Sequence, residues 1–203
     1  MNICAITAYN QDFAQVAGLT HPVLRDYCNK HGYGYARDCF PTLQSPEIVW
    51  HRVDAIRQML KRHDWVVWMD ADALITNPDV KFESLITNDA HMVISRDCNG
   101  LNDGIWMVKN SDWSRQILDQ IENDRLLYSS PQEAMNFMWQ DSTMFRNNIT
   151  VWPQQRMNAY MMAEYGLSED QPGQWRSGDF ILHLPGIGND RRVEILTEVT
   201  SNQ

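Results

Sequence analysis

No apolar run in the 203 residues approaches the roughly 20 positions that a bilayer-spanning helix needs, which argues against a membrane span. Positive charge is scarce. The 17 lysines and arginines face 26 aspartates and glutamates, for a formal net charge of −9, and this opposes broad contact with long nucleic acid or an anionic membrane face. Neither a Gly-x-Gly-x-x-Gly nor a Gly-x-x-x-x-Gly-Lys segment occurs, so the dinucleotide and ATP-loop readings lose their phosphate cradle. The segment Thr7 to Phe13 has no glycine, lysine or arginine at all. Cysteines are few and never spaced Cys-x-x-Cys: Cys4, Cys28, Cys39 and Cys98 indicate neither a zinc site nor a redox motif. Disulfides are permitted by the even count, but a chain of this size buries enough core without them. Because Met1 to Ile6 already reads as a strand with no leader before it, a soluble protein of the reducing cytoplasm is expected. Disorder-prone stretches are also missing, and residues 1–203 are read as a single domain.

What is present centres on Trp65-Val66-Val67-Trp68-Met69-Asp70-Ala71-Asp72-Ala73-Leu74-Ile75-Thr76-Asn77-Pro78. The run from Trp65 to Met69 has the continuous apolar pattern of a central strand buried on both faces. It breaks into two aspartates one residue apart, followed by the turn signal Asn77-Pro78. Ligands of open α/β sheets collect beyond the carboxyl ends of the strands, and two carboxylates there are hard oxygen ligands for Mn²⁺ or Mg²⁺. The competing role, an aspartate capping the next turn, belongs to isolated Asp-x-Asp pairs.

Around this stretch the sequence predicts alternating strands and helices. Strands are expected over Asn2–Ala8, Tyr33–Arg37, Ala90–Ser95, Ile105–Lys109, Ile149–Pro153 and up to His183. Helices are expected to open at Thr20-His21-Pro22, Ser45-Pro46-Glu47, Ser111, Ser130-Pro131 and Asp190, several of them by the cap-then-proline pattern. Thr7 and Tyr9, at the end of the first strand, either contact a base and ribose or simply finish the strand. Asn102, between Gly100 and Gly104, offers a donor and an acceptor to sugar hydroxyls, and the glycines let backbone approach a ligand; the alternative is a tight turn entering the next strand.

Several of these segments together resemble glycosyltransferase family 34, which includes yeast α-mannan and plant xyloglucan enzymes. They are Trp-x-x-Trp-x-Asp-x-Asp-Ala-Leu-Ile-x-Asn around Asp70 and Asp72, Tyr27 to Tyr33, Trp50-His51-Arg52-Val53, Leu101-Asn102-Asp103-Gly104 through Trp113-Ser114, Gln140-Asp141-Ser142, Gln155 to Tyr160, and Asp179 to Gly186 with His183. The resemblance implies an α/β fold of the GT-A type, Rossmann-like, with a mostly parallel central sheet flanked by helices. It implies that His183 joins Asp70 and Asp72 in holding Mn²⁺ or Mg²⁺. Thr7, Tyr9, Arg52, Asp70, Asn102, Gly104 and Gly186 would then bind the donor, and Arg191 or Arg192 would reach its diphosphate. Arg52 stands where family members have lysine, to pair with phosphate or with a carboxylate near the metal. Asp141, with Gln140 beside it, is the implied catalytic carboxylate, in a segment that departs from the family's Asp-Gln-Ser.

The expected activity is therefore metal-dependent transfer of a sugar from a nucleotide-sugar donor, UDP-linked, with retention of configuration. The acceptor would be a glycan or another hydroxyl compound, with a modified base left open. Two alternatives stand beside it: a sugar nucleotidyltransferase, weakened by the plain Thr7–Phe13 segment, and a non-catalytic carbohydrate-binding or scaffold protein.

Overall fold

In the computed structural model, which describes residues 1–40, 42, 47–87 and 89–201, the strands assemble in an order set by which faces must be buried. They are β1 (Ile3–Tyr9), β2 (Gly34–Cys39), β3 (Trp65–Met69), β4 (Ala73–Ile75), β5 (Met92–Asp97), β6 (Gly100–Lys109), β7 (Ile149–Pro153) and β8 (Ile181–His183). Six form one sheet in the order β2-β1-β3-β6-β5-β7, and β4 pairs with β8 in a separate antiparallel ribbon. Within the large sheet only β6 runs against the others. The expected mostly parallel α/β sheet is what forms.

Alternation along the central strands divides the core. Cys4, Ile6, Val66 and Trp68 face one side, under α2 (Glu47–Met59), α3 (Asp112–Asn123) and α4 (Pro131–Asp141). Ile3, Ala5, Trp65, Val67 and Met69 face the other, against Leu24, Tyr27 and Cys28 of α1 (Ala14–His31). All five residues of β3 are buried, and each large apolar side chain so covered contributes about 1.5–3 kcal/mol. The cap-then-proline start of α4 is realised: Ser130 accepts from the Glu133 N–H, with Pro131 in the first turn. Ser111 caps α3 in the same way. The proposed start of α2 at Ser45-Pro46 lies outside the described residues. No helix among the described residues is long and apolar enough to cross a membrane. The four cysteines are free thiols, Cys4 and Cys28 buried, Cys39 and Cys98 exposed.

The structure corrects one local expectation and removes one of the alternatives. Helix α1 begins at Ala14, so Pro22 lies inside it rather than at its start. Proline breaks isolated helices by losing a hydrogen bond and crowding the carbonyl four residues back. Here Val16 ahead of it is fully buried, with Phe13 and Leu19 packed around the same cluster. That cluster is completed by Leu74 and Leu182 and by Ile195 and Leu196 of α7 (Asn189–Ser201), and its burial keeps the earlier turns helical. The stretch Gly100–Gly104 is also strand, not turn. Its register against β5 jumps, with Ile94 opposite Trp106 but Ser95 opposite Asn102. Asp103, Gly104 and Ile105 therefore have no partner on β5 and bulge toward the end of β3, where the Asp70 N–H donates to the Gly104 carbonyl at 2.8 Å.

One buried residue of α1 makes stability depend on pH. His21 is 3% exposed, and burial, reinforced by the Arg37 guanidinium, lowers its pKa from 6.5 to about 4. Between those values the unfolded chain binds the extra proton, so stability is full above pH 6.5 and is lost as the pH falls toward 4. Urea unfolding from pH 4 to 8 should show a shallower acid limb for His21→Asn than for the unaltered protein.

Candidate active site

Asp70 leaves the end of β3, Asp72 follows it around the turn, and His183 ends β8. The pairing of β4 with β8 sets Ala73 opposite His183, which brings the histidine to the aspartates. Ligand atoms of Asp70, Asp72 and His183 all lie within 4.8 Å of one another. His183 Nε2 is 3.3 Å from Asp72 Oδ1, while its Nδ1 lies 2.6 Å from Asn158 Oδ1. An amide oxygen can only accept, so Nδ1–H donates to Asn158, and Nε2 is the ring nitrogen left facing the carboxylates. Two hard oxygens and one imidazole nitrogen in this arrangement suit Mn²⁺ or Mg²⁺.

Behind these three candidate ligands runs a continuous polar network. Asn158 is fully buried and its amide also reaches the Tyr160 hydroxyl, which donates to Asp97 at 2.8 Å. Asn102 donates to both Asp97 and Tyr160 at 2.9 Å and accepts the Gly104 N–H at 3.0 Å. Gly104 backs the histidine so closely that a Cβ there would come 2.3 Å from His183 Cε1. Partners that orient a metal-binding histidine typically account for about 10–100-fold in metal affinity. Asn158→Ala should weaken Mn²⁺ binding by that factor in a calorimetric titration, with the fold retained.

Two arginines balance the carboxylates. Arg52, buried on α2, pairs with Asp103 Oδ1 at 2.6 Å and with Asp70 Oδ1 at 3.3 Å, and its guanidinium lies 5.4 Å from the centre of the Trp68 ring. Arg192 of α7 pairs with Asp72 Oδ2 at 2.9 Å and donates to the Leu184 carbonyl. Burial pushes the Asp70 carboxyl above its ordinary range despite Arg52, whereas for Asp72 the same burial is outweighed by His183 and Arg192, which hold it low. Burial also raises Asp103, to about 6, against the opposing pull of Arg52.

These groups open on a cavity of about 400 Å³, bounded by Tyr9, Phe13, Val49, Arg52, Gly186 and Arg192 besides the three ligands. A larger one of about 810 Å³, containing Asp97, Asn102, Gln132 and Tyr160, adjoins it across Pro185 and Gly186. Of the residues singled out from sequence, Tyr9, Arg52, Asp70, Asp72, His183 and Gly186 come together at the first cavity, with Gly104 directly behind. Asn102 lies in the supporting network and lines the second. Thr7 does not reach either: it is buried behind the strand end, with its hydroxyl 3.4 Å from His21 Nε2. Arg191 points away to Glu164 and Glu194. Asp141 and Gln140 are not brought to the cluster. Both are exposed at the C-terminal end of α4, where Asp141 borders a different hollow with Trp113 and Phe137. The opposite end of α4 faces the site, about 15 Å away along the helix axis. There Gln132 accepts the Asp103 N–H at 3.2 Å. Sequence reasoning missed Gln132, although the Ser130-Pro131 start that it recognised put Gln132 in the first turn. Phe13, Asp103 and Asn158 were missed as well.

Comparison with known proteins agrees with this architecture. The profile of the galactosyl transferase GMA12/MNN10 family matches residues 23–92 and 84–194. A probable α-1,6-mannosyltransferase of Saccharomyces cerevisiae, MNN10, is 22% identical over 229 residues, covering 90% of this chain and 58% of its own. An α-1,2-galactosyltransferase of Schizosaccharomyces pombe is 22% identical over 207 residues, covering 80% and 54%. The chain thus spans about half the length of these relatives. Among solved structures, a glycosyltransferase involved in glycosylation of the major capsid of PBCV-1 superposes with a TM-score of 0.75 at 16% identity, over 98% of this chain and all of that one. The galactosyltransferase LgtC, solved with donor and acceptor sugar analogues, gives 0.60 at 11% identity over 98% and 95%. The fold is that of the GT-A glycosyltransferases.

Proposed function

Because the chain belongs to the galactosyl transferase GMA12/MNN10 family, we propose that it transfers a sugar from a UDP-linked donor to a hydroxyl of a glycan acceptor, with a divalent cation as cofactor. The observation that carries this reading is the convergence of Asp70, Asp72 and His183 on a cavity wide enough for a nucleotide. When bound, Mn²⁺ or Mg²⁺ supplies positive charge to the diphosphate leaving group.

The protein's own groups have separable tasks. Phe13 offers a flat wall and Tyr9 a polar-tipped ring to the same cavity, suited to a base and ribose. Arg192 already sits over the Phe13 ring at 4.9 Å and beside Asp72, so it can meet a phosphate oxygen without being desolvated anew. Arg52 holds Asp70 from behind. The larger cavity carries the side-chain amides of Asn99, Asn102, Gln132, Gln154 and Gln155, groups that both donate to and accept from neutral hydroxyls, and it suits the donor sugar and its acceptor. At its junction with the bulge stands Gln132, an amide and not a carboxylate, while the carboxylate of the same cavity, Asp97, is engaged by the Asn99 N–H, Asn102 and the Tyr160 hydroxyl. This favours retention by attack on the face the phosphate leaves, with Gln132 fixing the sugar, over a covalent sugar-enzyme intermediate.

Thermal unfolding and donor hydrolysis with UDP- and GDP-sugars, with Mn²⁺ and with chelator, test the reading. The expected result is metal-dependent stabilisation by a UDP-sugar together with slow UDP release. Pyrophosphate release from UTP and a sugar phosphate would replace it with a nucleotidyltransferase. Sugar binding with no turnover of any donor would leave a binding protein.

A further inference from the structure

On the other side of Tyr9 from the metal ligands lies a separate cavity of about 370 Å³ between α1 and the edge of the sheet. Its walls carry Arg25, Arg37, His21, Tyr9 and Tyr35, with Gly18 at its α1 side, and no carboxylate. In a chain with a net charge of −9 this is an unusual concentration of donors. Arg37 forms no ion pair among the described residues. Its neighbour Asp38 points to the opposite face of β2, as alternation along a strand requires, and lies 3.6 Å from His51 there. Among the described residues Arg25 pairs only with Asp26, beside it in sequence, with both side chains more than half exposed. Such an exposed pair costs little to exchange for another anion. His21 contributes a buried Nδ1 with no hydrogen-bond partner, and its edge packs against Tyr9 with ring centres 5.0 Å apart.

We propose that this cavity binds a nucleoside monophosphate as a second ligand, its phosphate held by Arg37 and Arg25 and its base set among the Tyr9, Tyr35 and His21 rings. Two guanidinium forks match a phosphate's geometry and compensate its charge, and the rings supply the stacking surface that a bare phosphate or carboxylate would not use. Tyr9 forms a wall of both this cavity and the one at the metal ligands. Occupancy here therefore fixes a side chain of the cavity at Asp70, Asp72 and His183, which makes the second site a place from which affinity there is adjusted. The binding itself stands apart from the glycosyltransferase reading; that the affinity adjusted is for a sugar donor rests on it.

The test is calorimetric titration of the whole protein with AMP, UMP and adenosine in excess chelator, where metal-dependent binding is silent. One mole of AMP or UMP should bind per chain, and adenosine should not. Arg37→Ala and Gly18→Leu should each lower that affinity at least tenfold while keeping the circular dichroism spectrum and the cooperative thermal transition of the unaltered protein, which shows that they fold. Gly18 has nothing within 4 Å of an added Cβ, so leucine fills the cavity without displacing backbone. No binding in chelator, or binding that both variants retain, would overturn the assignment.

Discussion

Asp70→Asn is expected to reduce sugar transfer about a thousandfold at saturating donor while the protein remains folded. The substitution changes charge and almost nothing else. Asparagine keeps an oxygen to accept the Trp68 Nε1–H, a bond of 2.7 Å in the unaltered protein, and Arg52 keeps its pairing with Asp103. What disappears is one of the two carboxylates proposed to hold the cation, and with it, on that reading, the charge compensation of the leaving diphosphate. Mn²⁺ titration should weaken in parallel, and thermal unfolding without metal should shift little. Asp72→Asn differs in kind: Asp72 also anchors Arg192 and His183, so that variant should lose stability as well as turnover. Turnover of Asp70→Asn within tenfold of the unaltered protein would remove the metal-centred mechanism.

Arg52→Met should cost about 3–5 kcal/mol of stability, since it strands the buried Asp103 carboxylate without a partner. In a domain of this size that lowers the unfolding midpoint by about 10 °C. The Asp103 carboxyl, already raised to about 6 by burial, would lose the guanidinium that opposes the rise. Adding Asp103→Asn should then return part of the loss, because a neutral amide replaces a charge that nothing compensates. A double-mutant cycle by urea unfolding at pH 7 measures the coupling. If Arg52→Met alone were neutral, Arg52 would be a surface charge, as a solvated position on an amphipathic helix suggests. Its 7% exposure and two carboxylate partners argue otherwise.

Much of this was legible before any coordinates, and the reason is local. The central strand Trp65–Met69 and its terminal aspartates are adjacent in sequence, so period and chemistry pointed to that strand end. His183 came with the resemblance of the segment Asp179 to Gly186, a short apolar strand delivering it. The helices at Ser111 and Ser130 were marked by their own caps. The parts that escaped depend on distant register. Nothing near residue 103 announces that β6 bulges, and without the bulge neither Asp103 nor Gly104 would have a reason to meet Asp70. Asn158 reaches His183 only through the β4–β8 ribbon, and which of the two named arginines, Arg191 or Arg192, turns inward is decided by the docking of α7. Asp141 shows the limit most clearly: an amphipathic pattern gives the inward face of a helix but not which end meets the sheet. In α1, burial against α7 overrode a proline that propensity alone would have placed at the helix start.

The β4–β8 ribbon has a thermodynamic consequence. Asp72 and His183 bracket most of the second half of the chain, from β4 to β8, including the β5–β6 hairpin, α3 and α4. A cation gripping both ends works as a reversible cross-link that closes this long loop, and closing a long loop removes more freedom from the unfolded chain than closing a short one. Occupied at a hundred times its dissociation constant, such an ion contributes about 2.7 kcal/mol to stability. The cofactor would then be a staple as well as a charge, and the half of the molecule it encloses would be the half whose resistance to unfolding follows the supply of metal.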